Sequence, residues 1–279
     1  MSFFSAIFDP AMPFVRNALI AGILSSILFG VLGSVVTVKR IAGLAGAISH
    51  AVLGGIGLAL YLSAKKIVPG LPPIVGALVF ALISAALIGL VSLKAKQRED
   101  TVINALWAIG MSLGIVFIAK TPGYADPMSY LFGNILLVST RDLVMLAVLD
   151  IAVIFLAWRY YPQIEASAFD EEFARTRGVS TDAVFLVILG VTAIAVVLLQ
   201  TYVGIVMVIA MLTLPAGTSG YFARNLAGMM AIGTLFSVAF SVAGLAISWG
   251  LDLPSGAIVV LVAGATFLAV SALRAGRKA

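Results

Sequence analysis

The chain has 279 residues, of which 62% are hydrophobic and only 10% are charged, and its mean hydropathy is +1.17. A soluble domain of this length cannot hide so much apolar surface, so the composition excludes a soluble protein and indicates a polytopic membrane protein. The lack of cysteine excludes disulfides and thiolate metal sites. The net charge of +5 does not indicate nucleic-acid binding, because the basic residues lie at the ends of apolar segments.

The apolar segments are continuous runs of about 20 residues, which predicts membrane-spanning helices. We predict an all-α bundle that forms one membrane domain over residues 1–279. Nine spans are predicted, and a count of eight, with one segment that does not cross, stays open. The apolar run 128–138 is too short to cross and predicts an interfacial or re-entrant helix. The nine predicted spans cover 13–38, 41–63, 72–93, 101–119, 143–158, 183–199, 203–222, 226–249 and 258–273.

The distribution of basic residues predicts the orientation of the chain. Most of the 17 lysines and arginines fall on the cytoplasmic side if the N-terminus lies outside. The longest hydrophilic loop, 159–182, is then cytoplasmic. Within it, 167–178 predicts a short helix that Ser167 or Asp170 caps and Gly178 ends. Phe169 and Phe173 are four residues apart and form one apolar stripe, which suits an interfacial anchor, a docking element for a partner or a solvated connector.

Two ionisable residues within the predicted spans are the candidates for a substrate pathway. His50 is the only histidine, and an ionisable group at membrane depth usually faces a cavity or a neighbouring helix. Imidazole is also the commonest side-chain ligand for transition metals. Asp150 is the only carboxylate near the middle of a span. For both residues the alternative is a structural role, as a hydrogen-bonding group between packed helices.

Three further residues are weaker candidates for a functional role. Asp126 and Asp252 fall in predicted outer loops, where they can receive a cation or contact a binding protein, or simply be solvated. Pro215 removes a backbone donor from the predicted seventh span, which predicts a kink that acts as a hinge or only fits the bundle.

The chain contains no GxxxxGK[ST] phosphate loop, so any ATP hydrolysis must come from another chain. Nothing in the sequence indicates an enzyme, because no nucleophile–base set is present.

Several short segments, taken in order, resemble the permease subunits of zinc- and manganese-type ABC importers. The resemblance covers nearly the whole chain, and the order and spacing of the segments carry it. The segments are Val35-Val36-Thr37-Val38-Lys39-Arg40, Ser49-His50-Ala51, Ser129-Tyr130-Leu131-Phe132-Gly133, Phe169-Asp170-Glu171-Glu172-Phe173-Ala174-Arg175 with Gly178, Tyr202-Val203-Gly204, Leu214-Pro215-Ala216, Phe222-Ala223-Arg224 and Asp252-Leu253-Pro254-Ser255-Gly256.

This resemblance implies the helical bundle of the cobalamin-type importers, in the bacterial cytoplasmic membrane and surrounded by its lipid. It implies a homodimer, or a pseudo-dimer with a sister permease, and an extracytoplasmic protein that delivers Zn²⁺ or Mn²⁺. The metal is cargo, no tightly bound cofactor is expected, and ATP binds the partner ATPase. No nucleic acid is an expected partner. The residues expected to couple the permease to the ATPase are Phe169, Asp170, Glu171, Glu172, Phe173, Arg175 and Gly178.

One position departs from the family pattern. The family commonly has an aspartate four residues before the histidine, where an i, i+4 pair can grip one metal ion. Here that position is Gly46. Either another acid, for which Asp150 is the candidate, supplies the charge, or the ion passes with little coordination. Two other functions stay open: import of a metal chelate such as a siderophore or cobalamin, and ATP-independent transport by a secondary transporter or channel.

Overall fold

The computed structural model describes residues 3–94, 99–123, 131, 133 and 135–276, and all regular structure in these residues is helical. A short 3₁₀ turn, Ile135–Leu137, precedes the sixth α-helix. The α-helices are α1 (Phe3–Ile7), α2 (Pro13–Val38), α3 (Ala42–Ala64), α4 (Pro73–Lys94), α5 (Glu99–Lys120), α6 (Thr140–Arg159), α7 (Tyr161–Phe169), α8 (Glu171–Thr176), α9 (Thr181–Val203), α10 (Ile205–Ser219), α11 (Leu226–Leu251) and α12 (Ser255–Gly276).

The number of membrane spans is lower than the nine predicted. In the described part of the chain, seven helices are long and apolar enough to cross a membrane: α2, α3, α4, α5, α9, α11 and α12. The pair α6–α7 adds an eighth if it is one span, although it bends by 69°. The predicted seventh span is α10, which has only 15 residues. It is short because it begins directly after Gly204, whose φ of 83° ends α9.

Helix α2 is the centre of the bundle. It packs against α10 and α11 on one side and against α6 on another. Its side chains Leu28 and Phe29 are fully buried. Small residues let the neighbours come close, because a Cβ at Gly30 would collide with Thr234 of α11 and one at Gly33 with the Leu212 carbonyl of α10. A displacement of α2 would therefore reach most of the bundle.

Helix α3, which carries His50, packs against α4 and α5 through glycines. A Cβ added at Gly54 would lie 2.9 Å from the Gly110 carbonyl oxygen of α5, and one at Gly57 would lie 2.6 Å from the Gly114 carbonyl oxygen. A Cβ at Gly55 would collide with the Gly76 carbonyl of α4. These close backbone approaches set the position of His50 relative to α5.

Two glycine substitutions on α3, one at a crowded position and one at an open position, test this close packing. We expect Gly57→Ala to destabilise the folded protein by about 1–3 kcal/mol, because the new methyl group meets backbone that cannot move aside. Gly46→Ala, on the same helix, should cause no loss, since a Cβ there meets no atom within 4 Å. Thermal unfolding in detergent measures both variants. Equal melting temperatures for the two would contradict the packing described above.

Candidate functional site

His50 is held by an aromatic contact between two helices. Its ring stacks on the Trp107 indole of α5, with ring centroids 4.9 Å apart and an interplanar angle of 28°. Its Nδ1 atom is buried and has no hydrogen-bond partner among the described residues. The stack restrains the imidazole while this nitrogen stays available. A neutral imidazole nitrogen of this kind is a suitable transient ligand for a divalent transition metal.

Open space lies one helical turn before His50. A Cβ at Gly46 would meet no atom within 4 Å, in contrast to the crowded glycines of the same helix. No group of three or more His, Asp or Glu side chains in the described part of the chain is placed to hold a metal ion. Among the described residues of one chain, His50 is therefore a single candidate ligand beside open space, and not a member of a closed metal site.

Asp150 lies in a different part of the bundle from His50. Its side chain is 3% exposed, and neither carboxylate oxygen has a hydrogen-bond partner among the described residues. It shares the buried face of α6 with Leu146 and Val153, and α6 packs against α2, whereas α3 packs against α4 and α5. This placement favours a role of Asp150 apart from His50 over a shared site within one chain. Because neither oxygen has a described partner, it does not support the hydrogen-bonding role, and the assignment of Asp150 to the pathway stays a prediction.

The variant Asp150→Asn tests that interpretation. We expect it to retain metal uptake within about twofold, because asparagine keeps the volume and removes an unpaired charge that is costly at membrane depth. Transport by reconstituted protein measures the effect. A loss of uptake as large as that of a His50 variant would instead assign Asp150 to the pathway.

The structure explains Asp252 and Pro215 locally. Asp252 is the C-cap of α11 and has a left-handed backbone (φ 53°), a conformation that Asp tolerates better than most residues. The Ser248 hydroxyl donates to the Leu253 carbonyl in the same turn. Pro215 is buried inside α10, which continues through it without a break in its helical assignment. Roles in metal entry and as a hinge stay predictions. Asp126 lies outside the described residues.

The predicted cytoplasmic helix 167–178 is divided in two. Helix α7 ends at Phe169, and Asp170 caps the separate α8, with its Oδ1 accepting from the Phe173 amide at 2.9 Å. Ser167 belongs to α7, where its hydroxyl donates to the Ile164 carbonyl. Of the two predicted caps, Asp170 is confirmed for α8 and Ser167 is wrong, and Phe169 and Phe173 lie on different helices, so the predicted single stripe is wrong. The physical reason is that Asp170 leaves the helical conformation (φ −150°, ψ 98°) to bind the next helix's free amide.

Helices α7 and α8 together present an aromatic surface, and α8 is tied to α9. The side chains of Phe169 and Phe173 are 68% and 52% exposed, which leaves both free for a partner. Arg175 donates to the Thr181 hydroxyl at 2.7 Å and to the Asp182 carboxylate at 2.6 Å. Arg175 therefore anchors α8 at its C-terminal end, and its role in coupling stays a prediction.

The remaining predicted coupling residues complete this surface. Glu171 and Glu172 lie exposed in the first turn of α8. Gly178 has φ 82° and makes the turn toward α9, a conformation that favours glycine. Glu171 also pairs with Lys39 at the end of α2. Neither Lys39 nor Trp107 was predicted as a site residue, because their roles depend on contacts between distant helices that no local pattern reveals.

Long apolar helices, with α7 and α8 between two of them and His50 inside another, define the class as a multi-pass membrane protein. The chain matches the ABC 3 transport family over residues 11–274 and belongs to this family. It is thus a multi-pass bacterial membrane protein of the ABC transporter permease class.

Three known proteins show the extent of the similarity. The membrane protein slr2045 of Synechocystis is 38% identical over 262 residues, which cover 94% of this chain and 91% of the relative. The manganese transport system membrane protein MntC of Halalkalibacterium halodurans is 34% identical over 271 residues, 96% and 90% of the two chains. The solved structure of PsaBC from Streptococcus pneumoniae in complex with Fab matches with a TM-score of 0.84 and 29% identity, covering 96% of this chain and 94% of that one.

Proposed function

We propose that this chain is the membrane permease of an ATP-driven importer of a divalent transition metal, Mn²⁺ or Zn²⁺. The observation that carries the proposal is the similarity along nearly the whole chain. Residues 11–274 match the ABC 3 transport family, and a manganese transport membrane protein is similar to 96% of the chain. His50 supplies the only imidazole, and its Nδ1 has no hydrogen-bond partner among the described residues. A metal ion held by a single nitrogen ligand would be bound weakly and briefly. Brief binding suits transport, because a tight site would slow release.

The partners follow from the same proposal. An ABC ATPase docks on the exposed aromatic surface of Phe169 and Phe173, and a metal-binding protein delivers the ion at the opposite face. ATP is hydrolysed by the ATPase, and the permease itself carries out no chemistry. Two permease chains form a dimer, either with each other or with a sister permease, so that the passage lies between them. A dimer of two copies of this chain supplies a second His50 and partly compensates for the glycine at position 46.

Transport would proceed by alternating access. Closure of the two ATPases on ATP draws the docked α7–α8 pairs together, and the membrane helices rearrange as packed bodies. The metal ion moves past His50 when the outer end closes and the inner end opens. The stacked Trp107 keeps the imidazole from following the ion, since the ring is held between α3 and α5.

Uptake into vesicles tests the proposed function. The permease is reconstituted with its ATPase and its binding protein, and ATP-dependent uptake of radioactive Mn²⁺ and Zn²⁺ is measured. We expect uptake that requires both ATP and the ATPase. Undiminished uptake without the ATPase would contradict the proposal and favour a secondary transporter or a channel.

A metal chelate is the second candidate cargo. The open space at Gly46 and the lack of an acidic partner next to His50 leave room for a larger ligand. Competition separates the two candidates. Excess free Mn²⁺ should suppress uptake of the labelled ion, whereas a chelate permease would be inhibited by the chelate and not by the free metal.

The variant Gly46→Asp should strengthen metal binding if the cargo is a free ion. Aspartate at 46 and His50 are one turn apart on the same helix face, and the space at 46 accepts the side chain. We expect roughly a tenfold increase in Mn²⁺ affinity, since a carboxylate suits Mn²⁺ and adds a charged ligand. Isothermal titration of the purified permease measures it. Unchanged affinity would show that position 46 does not face the ion.

A further inference from the structure

The side chain of Lys39 joins α2 to the cytoplasmic helices. Its ammonium group donates to the Ser167 carbonyl oxygen at 2.9 Å and to Glu171 Oε1 at 3.1 Å. The Lys39 side chain is only 3% exposed, although it lies at the end of a membrane helix where lysine usually extends into water. The two partners are 128 and 132 residues away along the chain.

Both partners belong to the junction between α7 and α8, residues 167–171, which we call the elbow. The Ser167 carbonyl is among the last of α7, and such carbonyls lack a partner within their own helix. Glu171 is the first residue of α8. The ammonium group therefore lies between the negative C-terminal end of α7 and the carboxylate of Glu171, and both attract a cation.

Polar contacts connect α7 and α8 to two different membrane helices, α2 and α9. Arg175 and Asp182 join α8 to α9, but both side chains are more than half exposed (57% and 53%), so water and salt weaken this pair. Glu171 is also exposed (55%), yet the Lys39 ammonium and its bond to the Ser167 carbonyl are shielded from solvent. The contact made by the buried ammonium group thus leads to α2, the helix that packs on α6, α10 and α11.

From this geometry we infer that Lys39 is a positioning residue that transmits movement of the elbow to α2. An ATPase that displaces the aromatic surface of Phe169 and Phe173 pulls the elbow, and the elbow pulls α2 through the Lys39 ammonium. The inference rests on the proposed function, because it requires a motor bound at this surface. It predicts that loss of the Lys39 contact separates ATP hydrolysis from transport while docking is retained.

The test measures transported metal per ATP hydrolysed in vesicles that contain the complete complex. For Lys39→Met we expect this ratio to fall about tenfold, within the range usual for coupling between sites, with ATPase co-purification and hydrolysis retained. Arg40→Met is the matched control, since it removes the same charge from the neighbouring exposed residue. Glu171→Gln should lower the ratio less, because the Ser167 carbonyl still accepts from Lys39.

A chemical rescue separates the charge of Lys39 from its packing. The chain contains no cysteine, so Lys39→Cys introduces a unique thiol in the permease. Treatment with aminoethyl methanethiosulfonate restores an ammonium group of nearly lysine length, and the neutral ethyl reagent adds similar bulk without charge. We expect only the aminoethyl reagent to restore the ratio. Wild-type complex treated with each reagent controls for thiols of the partner subunits.

The outcomes distinguish the two proposals. No ATP-dependent uptake by the wild-type complex would overturn the proposed function. A wild-type complex that transports, together with an unchanged ratio for Lys39→Met, would overturn the role of Lys39. Loss of ATPase co-purification in Lys39→Met would also overturn it, because Lys39 would then act in docking. If Lys39→Met does not fold, Glu171→Gln and the modified Lys39→Cys protein give the same decision.

Discussion

Replacement of His50 by alanine is expected to reduce ATP-driven metal uptake at least about tenfold, because even groups that only orient metal ligands commonly contribute factors of 10–100. The histidine is the only imidazole in the chain, and no described cluster of acids can replace it. In a dimer the substitution removes both imidazoles at once. The ATPase should still bind, since His50 lies inside α3 and far along the chain from the docking surface.

Two controls make the His50 result specific. Ser49→Ala changes the preceding residue, whose buried hydroxyl donates only to the Ala45 carbonyl of its own helix, and should leave uptake unchanged. Trp107→Phe keeps an aromatic ring against the imidazole and should have a smaller effect than His50→Ala. If His50→Ala transports metal at the wild-type rate, the imidazole is a structural residue and the passage for the ion lies elsewhere.

The second large effect is expected for Phe173→Ala, which should release the ATPase and leave the permease in the membrane. Phe173 is 52% exposed, and the Arg177 guanidinium lies 5.2 Å from the centre of its ring, which presents a preformed aromatic surface to a partner. Exposed aromatic anchors at interfaces often contribute about 2 kcal/mol or more to binding, which corresponds to roughly a 30-fold weaker complex. Co-purification of the ATPase with tagged permease measures it.

The matched control for Phe173 is Phe8→Ala. Phe8 is 85% exposed and lies before α2, at the end predicted to face outside, so its loss should not affect the ATPase. Membrane insertion of each variant is checked by fractionation. If the ATPase co-purifies normally with Phe173→Ala, α8 is not part of the docking surface. The ATPase that the family implies would then have to bind another part of the permease.

Hydropathy alone determined most of the membrane helices. The predicted spans 13–38 and 226–249 correspond to α2 (Pro13–Val38) and α11 (Leu226–Leu251), and the others except the fifth and the seventh are also long apolar helices. The physical reason is that a segment in lipid must satisfy its backbone hydrogen bonds internally, which leaves the helix as the only choice for an isolated apolar run. His50 was likewise evident as the one imidazole within such a run.

The sequence by itself therefore determined the class of protein and most of the apolar segments, and it singled out His50 as the candidate metal ligand. Only the tertiary structure decided that α10 begins at Gly204, that Asp170 divides the cytoplasmic segment, and that Asp150 belongs to a different helix pair from His50. It also decided that Lys39 meets Ser167. These features depend on how helices far apart in the chain pack together, and hydropathy contains no information about which faces of the helices meet.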